Sequence, residues 1–175
     1  MQDERDTSVP NVASIAPQHR LIEVPEELKA LPGWLVWRRE TAGNSGKQLK
    51  VPYYVEGGRR FGQQGSPQDR SKLTTFAIAR DEAIRRNMDG VGLALLPDWG
   101  ITALDFDKCV GTDGKLPHEI VEIIGSTYSE YSPSEIGIRA FVRGNFGNNK
   151  SFANDETYGF ETFNTTGFVT ITGNT

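Results

Sequence analysis

Two apolar runs, VGLALL at 91–96 and ITALDFD at 101–107, constrain this chain more than anything else in it. Both are short, rich in bulky and β-branched residues and bounded by Gly, Pro and Asp, which marks them as buried strands rather than helices. The PDWG between them predicts a hairpin. Side chains alternate along a strand, so residues two apart share a face. The second run therefore ends with two carboxylates, Asp105 and Asp107, converging on one side of a buried strand.

Around this pair the chain reads as alternating short elements. VPEELKALPGW predicts a short helix opened by Pro25 and closed by Pro32-Gly33, followed by the aromatic strand WLVWRR. Residues 40–70 form a long glycine-rich, cationic excursion in which KVPYYV alone has strand character. SKLTTFAIARDEAIRRNM spaces its apolar residues as an amphipathic helix stopped at Asp89-Gly90, and LPHEIVEIIG predicts a second, shorter helix. STYSEY, IGIRAFVRG, YGFETF and GFVTITG are β-rich runs separated by polar turns, so the second half is expected to be mainly antiparallel sheet in an α+β domain spanning 21–175. Residues 1–20 show no apolar period and are expected to form a flexible N-terminal arm.

The chain, at 175 residues, is long enough to bury a core without staples. Its single cysteine, Cys109, excludes an internal disulfide framework and a cysteine-based zinc site, and fits a reducing, cytoplasmic setting. No apolar stretch approaches a membrane span, so no membrane partner is expected. The formal net charge of −4 is unevenly placed: residues 1–37 carry −3, residues 38–86 carry +6 and residues 87–175 carry −7. A cationic middle beside an anionic final half implies attraction of something negative next to a place for something positive, unless the charges are merely solvated.

Two carboxylates at one strand end repel each other unless a divalent cation lies between them, and hard cations such as Mg²⁺ or Mn²⁺ suit oxygen donors. Glu161, set between Phe160 and Phe163 in GFETF, is the candidate third ligand. Spacing alone equally allows a solvated strand end for the Asp pair and an exposed sheet face for Glu161. An EF-hand loop is excluded, because Cys109 takes its fifth position, Val110 its glycine slot and Leu116 its twelfth. An aspartyl phosphatase also uses an apolar-run DxD, although Lys108-Cys109 does not continue its usual pattern. Neither His19 nor His118 has a ligand partner nearby in sequence.

ALDFDKC, SPSEIGIRAFVRG and FETFNTTGFVTITGN, in that order, with PGWLVWRRE, KQLKVPY and SPQDRSKLTTFAIARDEA upstream, resemble the N-terminal primase-polymerase domain of the archaeo-eukaryotic primase superfamily, found on replication proteins of phages, plasmids and integrated elements. The resemblance runs from about residue 25 to the end and rests on the ordered set rather than on any single motif. It implies an RRM-like antiparallel sheet packed on helices and joined to a smaller N-terminal α/β unit. It implies that Asp105, Asp107 and Glu161 hold two divalent metals, Mg²⁺ or Mn²⁺, and that the enzyme is a nucleotidyltransferase, a DNA primase/polymerase, joining NTP or dNTP on a single-stranded or primed DNA template. The chain is then expected to be the front of a longer replication protein with a fused or associated helicase.

Further roles follow from the same resemblance. Arg139 stands where many members carry histidine and is expected to contact the triphosphate, with Ser132 and Ser134 as hydroxyl or turn donors. Gly137 would admit a close backbone approach to the nucleotide or a bend in the strand. Lys47, Lys50, Arg59 and Arg60, interleaved with Tyr53, Tyr54 and Phe61, are expected to meet template or primer. The replacement of histidine by Arg139 leaves open a catalytically degenerate module that binds DNA or nucleotide without turning it over.

Overall fold

The computed structural model describes residue 21 and residues 23–147, 150–153 and 158–175. The arm expected at 1–20 lies outside the described residues. The fold is α+β, with two antiparallel sheets that divide the strands unequally.

The first sheet contains β1 (Trp34–Ala42), β2 (Lys47–Tyr53), β3 (Gly90–Ala94) and β9 (Phe168–Ile171), in the order β2-β1-β3-β9. Three helices accompany it: α1 (Glu26–Lys29), α2 (Pro67–Arg70) and α3 (Phe76–Arg85). Trp34, Val36, Val91, Leu93, Val169 and Ile171 share one face by register and meet Phe76, Ala79 and Ala83 of α3 in the main core. Trp34 is fully buried and meets Phe76 edge-on at 4.8 Å between ring centroids. Helix α3 begins where Thr75 caps the Ile78 N–H.

The second sheet contains β4 (Ile101–Asp107), β5 (Ser129–Tyr131), β6 (Ile138–Arg143), β7 (Lys150–Ala153) and β8 (Gly159–Phe163), in the order β5-β6-β4-β8-β7. A helix, α4 (His118–Ile124), crosses between β4 and β5. The order β5-β6-β4-β8 with a helical crossover is that of an RRM-like sheet, with β7 added at one edge. Leu104, Phe106, Ile138 and Ala140 occupy the face that packs on Ile120 of α4. Phe160 stacks on Phe106 there at 4.8 Å.

Two expectations are corrected. VGLALL and ITALDFD are both strands, but they do not form a hairpin: β3 lies between β1 and β9, while β4 lies between β6 and β8. Both hydrogen-bonding edges of each strand are thus taken by other partners. Pro97–Trp99 forms a 3₁₀ turn that carries the chain from one sheet to the other, with the Trp99 ring lying where a Cβ on Gly33 would be, 1.8 Å away. The smaller unit is also not wholly N-terminal, because GFVTITG returns as β9 to close its sheet. Ile101, Ala103 and Phe141 of the second sheet join the same core cluster as α3, so the two sheets share one interior.

Candidate functional site

Register decides what Asp105 faces. On β4 it is the Cα partner of both Arg139 on β6 and Glu161 on β8, while Arg139 is also the partner of Glu130 on β5. In-register residues on neighbouring strands project from the same face. Glu130, Arg139, Asp105 and Glu161 therefore form one row across four strands, and Asp107 follows two residues along on the same face. That face is the one α4 leaves uncovered. Farther along it, Ala103, Phe141 and Phe163 pack into the shared core, so the charged row stands where the apolar interior ends.

The Asp105 carboxylate is turned to Arg139, whose Nε donates to Oδ1 at 3.0 Å while Nη2 lies 3.5 Å from Oδ2. The remaining nitrogen, Nη1, donates to the Thr170 carbonyl at 2.8 Å and to the Thr170 hydroxyl. The Arg139 side chain is 5% exposed and that of Asp105 is 19% exposed, so the carboxylate keeps an open side. Next to them Glu130 is buried and accepts from the Tyr128 hydroxyl at 2.7 Å and from the Thr172 and Gly173 N–H groups at 3.0 and 2.9 Å. Burial pushes its pKa up against the pull of these donors and of Arg139. The Glu130 contacts tie β5 to the end of β9, which brings Thr170 to Arg139.

The first sheet supplies the opposing charge. Leu35, Trp37 and Arg39 alternate along β1, with Gly92 and Thr170 in register with Leu35 and Lys50 in register with Arg39, so Arg39, Lys50 and Thr170 share a face. Lys50 keeps surface in contact with water, yet desolvation of its ammonium and repulsion from Arg139 and Arg39 lower its pKa, against attraction from Asp105 and Asp107. Lys50 thus lies against the carboxylate row.

The SPSEIG turn abuts the same place. Ser132 is buried, Ser134 is exposed, and their hydroxyls lie 3.0 Å apart. The Ser132 N–H donates to the Gly137 carbonyl at 2.8 Å. A Cβ on Gly137 would stand 2.7 Å from the Phe106 carbonyl and 3.4 Å from the Asp107 Cα. The close approach that requires glycine is therefore to the backbone of β4, which fixes the turn against the aspartates. Beside this turn lies a cavity of about 420 Å³ whose walls include Trp37, Arg39, Arg80, Ser132, Thr172 and Asn174. Arg39 reaches the Pro133 carbonyl at 3.1 Å across it. The three carboxylates and Arg139 are not part of its walls.

The remaining basic candidates separate. Lys47 and Arg59 are exposed, and Arg59 pairs with Glu40. Arg60 is not available to a phosphate: its side chain is 1% exposed, holds both Asp69 carboxylate oxygens at 2.8 and 2.7 Å, and donates to the Gly167 carbonyl at 2.6 Å. Burial alone would raise the pKa of Asp69, but bonds from Arg60, the Gly65 N–H and the Tyr54 hydroxyl outweigh it and hold the carboxyl at about 2.

Among the described residues no three His, Cys, Asp or Glu side chains are gathered around one point. The chemistry and register of Asp105 and Glu161 nonetheless fit a hard divalent cation: two carboxylates on directly opposed residues, with Asp107 next along the face. Arg39, Thr170 and Glu130 carried no signal as isolated residues. Pairing WLVWRRETA with KQLKVPY around the GNSG turn in antiparallel register would have placed Arg39 beside Lys50. No protein-family model matches the chain, and no curated protein matches it.

Proposed function

We propose that this chain is the catalytic domain of a template-directed, divalent-metal-dependent nucleotidyltransferase, a DNA primase/polymerase serving replication of a phage or mobile element. The observation that carries the reading is the row Arg139–Asp105–Glu161, with Asp107 beside it, set against Lys50 and Arg39 from the other sheet. Acid donors for a metal and cations for a triphosphate lie side by side on rigid strands, and phosphoryl transfer needs little beyond such positioning and charge stabilisation.

Asp105, Glu161 and Asp107 would hold Mg²⁺ or Mn²⁺, which supplies a lowered pKa for an attacking 3′-hydroxyl and a clamp on the triphosphate. Lys50 and Arg39 bind phosphate oxygens, and a bound anion offsets the desolvation and then the repulsion from Arg139 and Arg39 that lower the Lys50 pKa. Arg139 balances Asp105 until a cation shares it. The buried Ser132 and Gly137 keep the turn at a fixed distance from Asp107. Single-stranded or primed DNA is the template, NTP or dNTP the substrate, and a helicase, fused or associated, the partner that opens duplex ahead.

A second reading, a module that binds DNA or nucleotide without catalysis, is favoured by one observation: Arg139 already occupies Asp105. The phosphatase reading finds no support, since it needs a parallel doubly wound sheet and β4 is antiparallel to both its neighbours. Purified protein given labelled primer-template, NTPs or dNTPs and Mg²⁺ or Mn²⁺ should extend the primer, and the Asp105→Ala/Asp107→Ala variant should not. No product with either metal and either nucleotide overturns the enzyme reading. Nucleotide or DNA binding that survives in that case selects the second.

A further inference from the structure

Phe61 stands apart from the carboxylate row and is 78% exposed, in a loop whose neighbours are tightly held. Arg60, immediately before it, is locked into the buried pair with Asp69, and its N–H donates to the Pro52 carbonyl at 2.8 Å. Tyr54 donates to the same Asp69 at 2.8 Å, and Arg60 binds the turn at Gly167 that follows the Glu161 strand. The ring is thus presented on a rigid support. Lys72 lies over one face of it, its Nζ 6.0 Å from the Phe61 centroid and 5.2 Å from that of Tyr54. Among the described residues Lys72 forms no ion pair. Phe61, Tyr54, Gln63, Ser66, Gln68 and Lys72 surround a recess of about 290 Å³. The one carboxylate on its wall, Asp69, is already neutralised by Arg60.

From this arrangement we infer that Phe61 and Lys72 form a platform for single-stranded DNA, on which one unpaired base stacks on Phe61 while its phosphate meets Lys72. An exposed aromatic face accepts any base, an adjacent ammonium supplies the phosphate contact, and the side-chain amides and hydroxyl offer donors and acceptors to a base edge. Duplex DNA cannot use the platform, because its bases are stacked on one another. The inference rests on the nucleic-acid reading above and gives the template a docking point outside the catalytic face.

The test is fluorescence anisotropy of labelled oligo-dT, an abasic oligonucleotide of equal length and a duplex, titrated with protein at several salt concentrations. Phe61→Ala should weaken oligo-dT binding roughly tenfold, leave the salt slope unchanged and have no effect on the abasic strand, and Phe61→Trp should restore binding. Lys72→Gln should instead reduce the slope of log K against log salt by about 0.7. Thermal unfolding confirms that both variants fold. Wild-type binding that Phe61→Ala leaves intact overturns the platform alone. Absence of binding to every oligonucleotide overturns it together with the nucleic-acid reading. Sedimentation showing Phe61-dependent dimers without DNA overturns it by giving the patch to a second copy of the chain.

Discussion

Among the described residues, Asp69 and Asp105 each pair with a buried arginine, and the two pairs are built differently. In the loop, Asp69 receives Arg60 through both carboxylate oxygens, the Tyr54 hydroxyl and the Gly65 N–H, and is 2% exposed. At the row, Asp105 receives Arg139 through one good bond and one long one, keeps an open side, and has Glu161 in register beside it. Arg139 also divides its donors between Asp105 and Thr170. A saturated pair is a structural clamp, whereas an unsaturated one leaves its carboxylate able to take another cation. The same two residue types thus form a closed clamp in one place and an open pair in the other.

The largest effect expected separates the two pairs directly. Asp69→Asn removes the counter-charge of a fully buried guanidinium and should lower unfolding free energy by about 3–5 kcal/mol in denaturant titration. Asp105→Asn should cost less stability, because Arg139 retains Thr170, but should reduce primer extension by about 10²–10³-fold or more. Equal stability losses with activity spared in Asp105→Asn would erase the distinction.

Gly137→Ala should follow. Its Cβ would meet the Phe106 carbonyl at 2.7 Å, so the turn must shift from β4 at a cost of about 1–3 kcal/mol, read as a lowered Tm. Acid provides a third measurement. Asp69 has a folded pKa of about 2, below its unfolded value of 3.8, so it binds fewer protons in the folded state. Its contribution of about 2 kcal/mol is present above pH 4 and is lost as pH falls toward 2. The stability of Asp69→Asn should lack that acid limb.

Smaller effects test the Asp105 side. Thr170→Val removes a hydroxyl acceptor from Arg139 and should cost about 1 kcal/mol. With that competitor gone Arg139 is held more by Asp105, so Mn²⁺ affinity measured calorimetrically should fall a few-fold. Unchanged affinity would show that Arg139 does not compete for the carboxylate. Phe61→Ala should change stability by less than about 0.5 kcal/mol, since its ring touches mostly water.

Local pattern was enough for the α+β class, for most of the strands, and for the placement of Asp105 and Asp107 on one face of a buried one, because strand alternation is a property of adjacent residues. Helix α3 was legible for the same reason, through its apolar spacing, although it ends at Arg85 rather than at Asp89-Gly90, where Gly90 already begins β3. Partner choice was not legible. The PDWG turn reads as a hairpin from its own residues, yet β3 and β4 enter different sheets because each has two better edges elsewhere, and GFVTITG crosses back to complete the first sheet. Arg60 and Arg139 look like any other arginines in the chain; only the fold, which brings Asp69 to Arg60 and Asp105, 34 residues away, to Arg139, makes one pair closed and the other open. The sequence by itself determined which residues carry charge and which strand ends in carboxylates, since those follow from composition and period. The tertiary structure alone decided that Glu161 and Arg139 flank Asp105 and that Lys50 faces them, because register between strands depends on which edges pair, and burial decides which of those charges remain open to a ligand.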